Sequence, residues 1–408
     1  MKKILFVILL FLTLFSYSQN AEDNYQSGLL KYKLNDIQGA ITDFNKAIEL
    51  NPKDSYAYNK RGLAKTHLQD YKGAVDDFTA AIELNPNDNK MDAYYNRAFQ
   101  LYDLQDYKGA IADYTKAIDL NPQDSQAYRE RGFAKATLED HYGAIADYSY
   151  AIQFNPNFSI AYNDRGLSKS KLKDYQGAIA DYCLAIELNP NNSSTYFNRG
   201  ITKDASQDYQ GAIADFTKAI ELNPNESGAA YFSRGIVKGE LKDYQGAIAD
   251  FSQSIELNPD DSGAAYFSRG MARSELKDYQ GAIGDYSKTI EFYPNSTSAF
   301  FNRGVSKDDS HDYQGAIDDF TKTIELNPND SDAYLRRGFI KGKLKDYQGA
   351  ILDSSKAIEL NPNYVMAYLN RGIAKFILNQ KDSACLDFNK AAELGDAEAR
   401  DLIIKNCN

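Results

Sequence analysis

The sequence predicts an all-α solenoid of about eleven helix–turn–helix units, stacked in a row and closed by a C-terminal helix. Three observations carry that expectation. The ten prolines recur at one phase, at Pro52, Pro86, Pro122, Pro156, Pro190, Pro224, Pro259, Pro294, Pro328 and Pro362, spaced 34 to 36 residues apart. A fixed period in this range marks one supersecondary unit repeated along a solenoid. Within each period the apolar residues fall at helical spacing. Helix start and stop residues stand at fixed places between those runs.

One copy, Ser55 to Pro86, shows how the unit is built. With Ser55 as phase 1, Pro86 is phase 32. Tyr58, Gly62 and Leu68 follow one helical run, and Ala74, Phe78 and Ala81 follow a second. Asp70 precedes the second run, where its carboxylate can cap free N–H groups. Pro86 stops that run, and an acceptor at Asp54 or Ser55 starts the first helix. Each unit is therefore two antiparallel helices, each about 20 Å long at ~1.5 Å per residue. Neither helix buries its apolar stripe alone, so neighbouring units must stack.

These phases resemble the tetratricopeptide repeat. That family places an aromatic at phase 4, Gly at 8, Tyr at 17, Ala at 20, an aromatic at 24, Ala at 27 and Pro at 32. Tyr58, Gly62, Tyr71, Ala74, Phe78, Ala81 and Pro86 match in turn. Eleven copies follow, at 21–54, 55–88, 91–124, 125–158, 159–192, 193–226, 228–261, 263–296, 297–330, 331–364 and 365–398. The chain departs from the family at phases 7 and 11, where it carries Arg and Lys or Arg in place of Leu and Tyr. The resemblance implies a right-handed superhelical solenoid over residues 19–398 and a capping helix that ends in 399–408.

Residues 1–18 read as a signal peptide. Lys2 and Lys3 precede an apolar run from Ile4 to Leu12, and Ser16-Tyr17-Ser18 supplies small residues for cleavage. The run is shorter than a spanning helix needs. The expected location of the mature protein is outside the cytoplasm of a bacterium, periplasmic or secreted, with no membrane insertion after cleavage. The formal charge of the full chain is −11, and losing the two lysines makes it more negative. An acidic solenoid is a poor nucleic-acid binder, because neutralising phosphates needs a basic face.

No catalytic or metal constellation is expected, and no cofactor. The three histidines, His67, His141 and His311, stand in copies far apart in the stack. Twenty of the 26 glycines lie at phases 8 and 19, which reads as tight helix contacts rather than a phosphate loop.

Two charged columns run through the repeat. Asp stands at phase 23 in all eleven copies, and Arg at phase 7 in ten; the first copy has Ser27 instead. Eleven copies make ten junctions, so the count favours a structural ladder in which each Arg pairs with the Asp of the preceding copy. Arg199 would then meet Asp181, and Arg234 would meet Asp215. The alternative is that Ser27 is only a polar end cap.

The resemblance also places phases 2, 5, 9, 12 and 13 of the first helix toward a concave groove, where partners bind. Phase 5 carries Phe197, Phe232, Phe267 and Phe301 in four successive copies, then Leu335 and Leu369. Asp204, Glu240, Glu275, Asp308 and Asp309 stand nearby at phases 12 and 13. Together they suit a protein or peptide segment with apolar and basic side chains. Phase 9 is apolar in almost every copy, which suggests packing between first helices. The expected function is a non-enzymatic interaction scaffold; the alternative is an architectural element of a cell-envelope assembly using its convex face or ends, with an enzyme a distant third.

Cys385 starts the last second helix and Cys407 ends the terminal helix, with the turn at Gly395-Asp396 about midway. An antiparallel hairpin would set them side by side, and export permits a disulfide. The alternative is a small core residue at 385 and a free thiol at 407.

Overall fold

The computed structural model describes residues 20–84 and 90–407; the expected signal segment and Pro86 lie outside the described residues. The described chain is all helical. It divides into two compact units, the first ending at Ser206 and the second starting at Gln207.

The first unit contains α1 (20–33), α2 (Ile37–Leu50), α3 (Ser55–His67), α4 (Tyr71–Leu84), α5 (Lys90–Asp103) and α6 (Tyr107–Leu120). It continues with α7 (Ser125–Thr137), α8 (His141–Phe154), α9 (Ser159–Lys171), α10 (Tyr175–Leu188) and α11 (Ser193–Ala205). The second unit contains α12 (Tyr209–Leu222), α13 (Gly228–Glu240), α14 (Tyr244–Leu257), α15 (Gly263–Glu275), α16 (Tyr279–Phe292) and α17 (Thr297–Asp309). It ends with α18 (Tyr313–Leu326), α19 (Ser331–Lys343), α20 (Tyr347–Leu360), α21 (Val365–Ile377), α22 (Lys381–Glu393) and α23 (Ala397–Asn406). Odd numbers up to α21 are first helices, and even numbers are second helices. Within each unit a helix packs on its neighbours in sequence, and first helices also touch the next first helix, as in α7 with α9 and α13 with α15.

The second helices start as the sequence predicts. The Asp106 carboxylate accepts from the Gly109 N–H at 3.0 Å, and the same cap recurs from Asp36 to Asp346. Glycine is required there for a reason other than helix contact. A Cβ on Gly73 would sit 2.2 Å from Asp70 Oδ2, inside the capping carboxylate. At phase 8 the close approach is between helices: a Cβ on Gly62 would lie 2.7 Å from a ring carbon of Phe78. The phase-24 ring thus lies flat on the first helix's backbone. Phe44, Phe78, Tyr114 and Tyr148 are all fully buried there, framed by alanines at phases 20 and 27, and Phe320 is as well, between Ala316 and Thr323.

The first helices end in a turn that the sequence reading did not anticipate. Eleven non-glycine residues at phase 15, from Asn35 to Asn379, hold φ between 61° and 67°. The Asp70 N–H reaches back to the Lys65 carbonyl at 3.0 Å and the Gln69 N–H to Thr66 at 2.9 Å, the hydrogen-bond pattern of a Schellman end. The single-residue additions near 227 and 262 are absorbed by short 3-10 turns, Pro224–Glu226 and Pro259–Asp261.

The charged ladder exists, but its pairing differs from the sequence expectation. In nine copies the Arg pairs with the Asp of its own copy, sixteen residues on. Asp181 is held by Arg165, through Nε at 2.9 Å and Nη2 at 2.7 Å, and not by Arg199. Arg234 holds Asp250 in the same fork, not Asp215. The junction is made by the remaining guanidinium nitrogen. Arg234 Nη1 donates to Thr217 Oγ1 at 2.8 Å, and Arg199 Nη1 to Cys183 Sγ at 3.2 Å, both at phase 25 of the preceding copy. Copy 1 carries Ser27 at phase 7 and so has no guanidinium there. Ser27 Oγ instead donates to Asp43 at 2.6 Å. The basic residue at phase 11 completes the cluster, as Lys169 does on Asp181 at 2.8 Å.

At the C-terminal end, α23 packs on α22 and covers the cluster around Leu369, Phe388 and Ala391. Cys385 and Cys407 are joined by a disulfide with Cα atoms 5.8 Å apart.

Candidate functional site

The candidate surface is built on the first helices. From copy 2 on, their phase-3, -8 and -10 residues are buried, which turns phases 2, 5, 6, 9, 12 and 13 toward or along the open side. The two apolar columns among these behave differently from the sequence expectation. Phe232, Phe267 and Phe301 at phase 5 are half-buried, and each lies against the phase-24 ring of its own copy. The centroid distances are 5.7 Å to Phe251, 5.7 Å to Tyr286 and 5.4 Å to Phe320. Phe197 is half-buried as well. These side chains are the outer wall of the core rather than projecting contacts.

Phase 9 projects instead. In the first unit Phe99 is 43% exposed, Phe133 38%, Leu167 43% and Ile201 41%. In the second unit Met271 is 49% exposed, Phe339 48% and Ile373 37%. Leu29, Ile236 and Val305 pack against core clusters, so the reading of phase 9 as packing between first helices is corrected only at the seven exposed positions.

Three cavities open along these helices. One of about 340 Å³ lies between α13 and α15 and includes Glu240, Glu275, Tyr244 and Met271. One of about 360 Å³ spans α19 and α21, with Leu335, Phe339, Leu369 and Ile373 as its apolar wall and Arg336 at its side. The third, about 210 Å³ between α7 and α9, includes Phe133, His141, Asp164 and Lys171.

The acids are not equivalent. Glu240, Glu275 and Asp309 are exposed and Asp204 is half-buried. Asp308 is held by Lys343 at 2.9 Å. In the first unit phase 5 is polar at Asn59, Arg129 and Asn163 and carries a partly buried charge cluster. Arg129 donates to Asp164 at 2.8 Å and to Glu130 at 2.9 Å. Burial pushes the nearby Tyr95 phenol up to about 12, and the Glu130 charge adds to it. Among the described residues, no group of three or more His, Cys, Asp or Glu could hold a metal ion. No described helix is long and apolar enough to cross a membrane.

Family models for the tetratricopeptide repeat match residues 55–88, 92–124, 160–192, 193–226, 232–297 and 331–364, and a TPR repeat model matches 28–66. Together they span well over half of the chain. No curated protein matches it. Among solved structures, the C-terminal part of a TPR repeat-containing protein from Cytophaga hutchinsonii is 19% identical, with 58% of this chain and 96% of that one covered and a TM-score of 0.50. A tetratricopeptide repeat protein from Parabacteroides merdae is 21% identical, with 61% and 99% covered and a TM-score of 0.44. YrrB, a TPR protein with an unusual peptide-binding site, is 22% identical, with 46% and 95% covered and a TM-score of 0.43. At these identities the likeness is one of fold. Proteins of this repeat family are in general protein–protein interaction scaffolds without catalytic activity. The repeat phases, the stacked helix pairs and the family models agree, and the chain belongs to the tetratricopeptide-repeat family.

Proposed function

We propose that this protein is a non-enzymatic scaffold, exported from the cell, that binds a peptide or protein segment along its first-helix face. One observation carries the reading: every cavity described above includes half-exposed phase-9 side chains, with acids at the rim in the second unit. A segment with alternating apolar and basic side chains complements that surface. The disulfide at Cys385–Cys407 supports an oxidising compartment. The phase-5 phenylalanines serve as the firm wall behind the contact row.

A second reading rests on Leu352 and Leu386, which are 70% and 71% exposed at phase 22 of successive second helices. An apolar pair on that face would suit an architectural contact. A photo-reactive phenylalanine analogue placed at Phe339, Ile373, Leu352 or Leu386 separates the two readings in the native envelope. Adducts from positions 339 and 373 are expected, and they should vanish with Met366→Ser while helical content and melting stay unchanged. Adducts confined to 352 and 386 would refute groove binding.

A further inference from the structure

Within each unit, neighbouring first helices share one kind of slot. It is bounded by phases 12 and 17 of one copy and by phases 9 and 13 of the next. The chain fills this slot with its own side chains at several junctions. Between copies 1 and 2, Tyr32 meets His67 with ring centroids 5.5 Å apart. Between copies 3 and 4, Tyr102 lies 5.0 Å from Tyr107 and 5.4 Å from Phe133. Between copies 9 and 10 the occupant is a cation. Lys343 Nζ sits 5.1 Å from the Tyr313 ring centre, 4.6 Å from that of Phe339, and 2.9 Å from Asp308.

Between copies 7 and 8 the slot is open. Gly239 stands where Tyr102 stands in copy 3, and a Cβ there would meet nothing within 4 Å. The result is the cavity of about 340 Å³ with Phe251, Ile236 and Met271 as apolar walls and Tyr244 beside them. Glu240 and Glu275 line the same cavity and are exposed. Glu275 takes the place of Lys343, Met271 that of Phe339 and Gly239 that of Asp308; Tyr244 keeps the phase-17 ring, and the acids come from Glu240 and Glu275 at phase 13. The neighbouring cations are engaged elsewhere: Lys238 pairs with Asp250 at 2.8 Å and Arg273 with Asp285 at 2.8 Å. The open slot between copies 4 and 5 has the opposite character, with Lys171 where Glu275 stands.

We propose that the slot between copies 7 and 8 is a subsite for one lysine side chain of the bound segment, its methylenes against Met271 and Phe251 and its ammonium between Glu240 and Glu275. The inference rests on the groove reading above and adds the residue class that the groove selects. Lys343 shows, inside the same molecule, how such a group is held.

The test uses the full mature chain with carbon-13 methyl-labelled methionine. Met271 lines the slot, and Met91 and Met366 serve as controls. Nα-acetyl-lysine methylamide should move the Met271 methyl resonance saturably and leave Met91 in place. The norleucine analogue, which lacks the charge, should bind roughly tenfold more weakly or worse. Gly239→Tyr, which rebuilds the Tyr102 plug, and the surface pair Glu240→Gln with Glu275→Gln should each remove the response, whereas Gly239→Ala should keep it. A Met271 signal that ignores the lysine probe, answers both probes alike, or survives the plug overturns the subsite. A second arm compares nonapeptide pools with a central lysine or norleucine. Equal capture of both pools would sink the subsite and leave the groove standing. Capture of neither, with the small lysine probe still bound, would sink the groove and leave the subsite.

Discussion

Arginine at phase 7 makes three contacts that lysine could not combine. Arg165 forks onto Asp181 and sends its remaining donor to Ser149 at 3.1 Å, and its guanidinium lies over the Tyr162 ring at 5.6 Å. A planar group with five fixed donors fits that set. Asp181 is 3% exposed, so losing the fork strands a buried carboxylate with Lys169 as its remaining cation. Arg165→Ala is expected to cost about 3 kcal/mol, near the lower end for breaking a buried pair. A double-mutant cycle on Arg165 and Asp181 in denaturant should show strong coupling, and a smaller one on Arg199 and Asp181. Coupling in the reverse order would mean that the pairs run between copies. Glycine gives a second residue-scale contrast. Gly62→Ala would drive a methyl to 2.7 Å from the Phe78 ring. It should destabilise by about 1–3 kcal/mol, as overpacking does. Gly239→Ala enters open space and should stabilise by about 0.5–1 kcal/mol, the usual gain for removing a helical glycine. Equal signs for the two in chemical denaturation would contradict the packing described.

At the scale of the helix, starts were legible and ends were only partly so. Aspartate caps are local chemistry, so Asp70 and its equivalents could be placed from composition and spacing alone. The left-handed ends were hidden because the positions carry Lys, Gln, Glu, His or Asn rather than glycine. Backbone hydrogen bonds within each copy hold the turn there despite the steric cost to a side chain, and the last copy keeps it at Asn379. The C-terminal hairpin is the clearest case of geometry decided by an element. Gly395, with φ of 107°, turns the chain so that α23 lies along α22. The disulfide closes that hairpin, and Cys407→Ser is expected to cost about 2–4 kcal/mol. Amide exchange should accelerate in α23 and remain unchanged in α13. Thiol titration of the purified mature protein under denaturing conditions should find one free thiol, Cys183. Three free thiols would remove the staple.

At the scale of the molecule, repeats interact mainly with their neighbours, so stability is approximately a sum over copies and junctions. Export acts on the whole chain and has its own test. Mature protein should begin near Gln19 and leave membranes without detergent; N-terminal sequencing that recovers Met1 from a membrane pellet would refute it. The sequence by itself determined the period, the helix pairs, the capping aspartates and the residue types of the ladder, because each of these follows from local propensity or from a repeating pattern. It could not decide between Arg165 and Arg199 as the partner of Asp181. Both arginines are equivalent residues of adjacent copies, one sixteen positions before the aspartate and one eighteen after it. Only the angle at which the two helices of a copy cross brings one of them within reach. The same holds for the open face. Phases 5 and 9 lie about one helical turn apart and are both apolar in the second unit. Phase 5 rests against the phase-24 ring of its own copy, and phase 9 stays exposed at Met271, Phe339 and Ile373 while Ile236 and Val305 lie against the core. A periodic sequence repeats the same side chains at every junction, and tertiary packing alone assigns each one its neighbour.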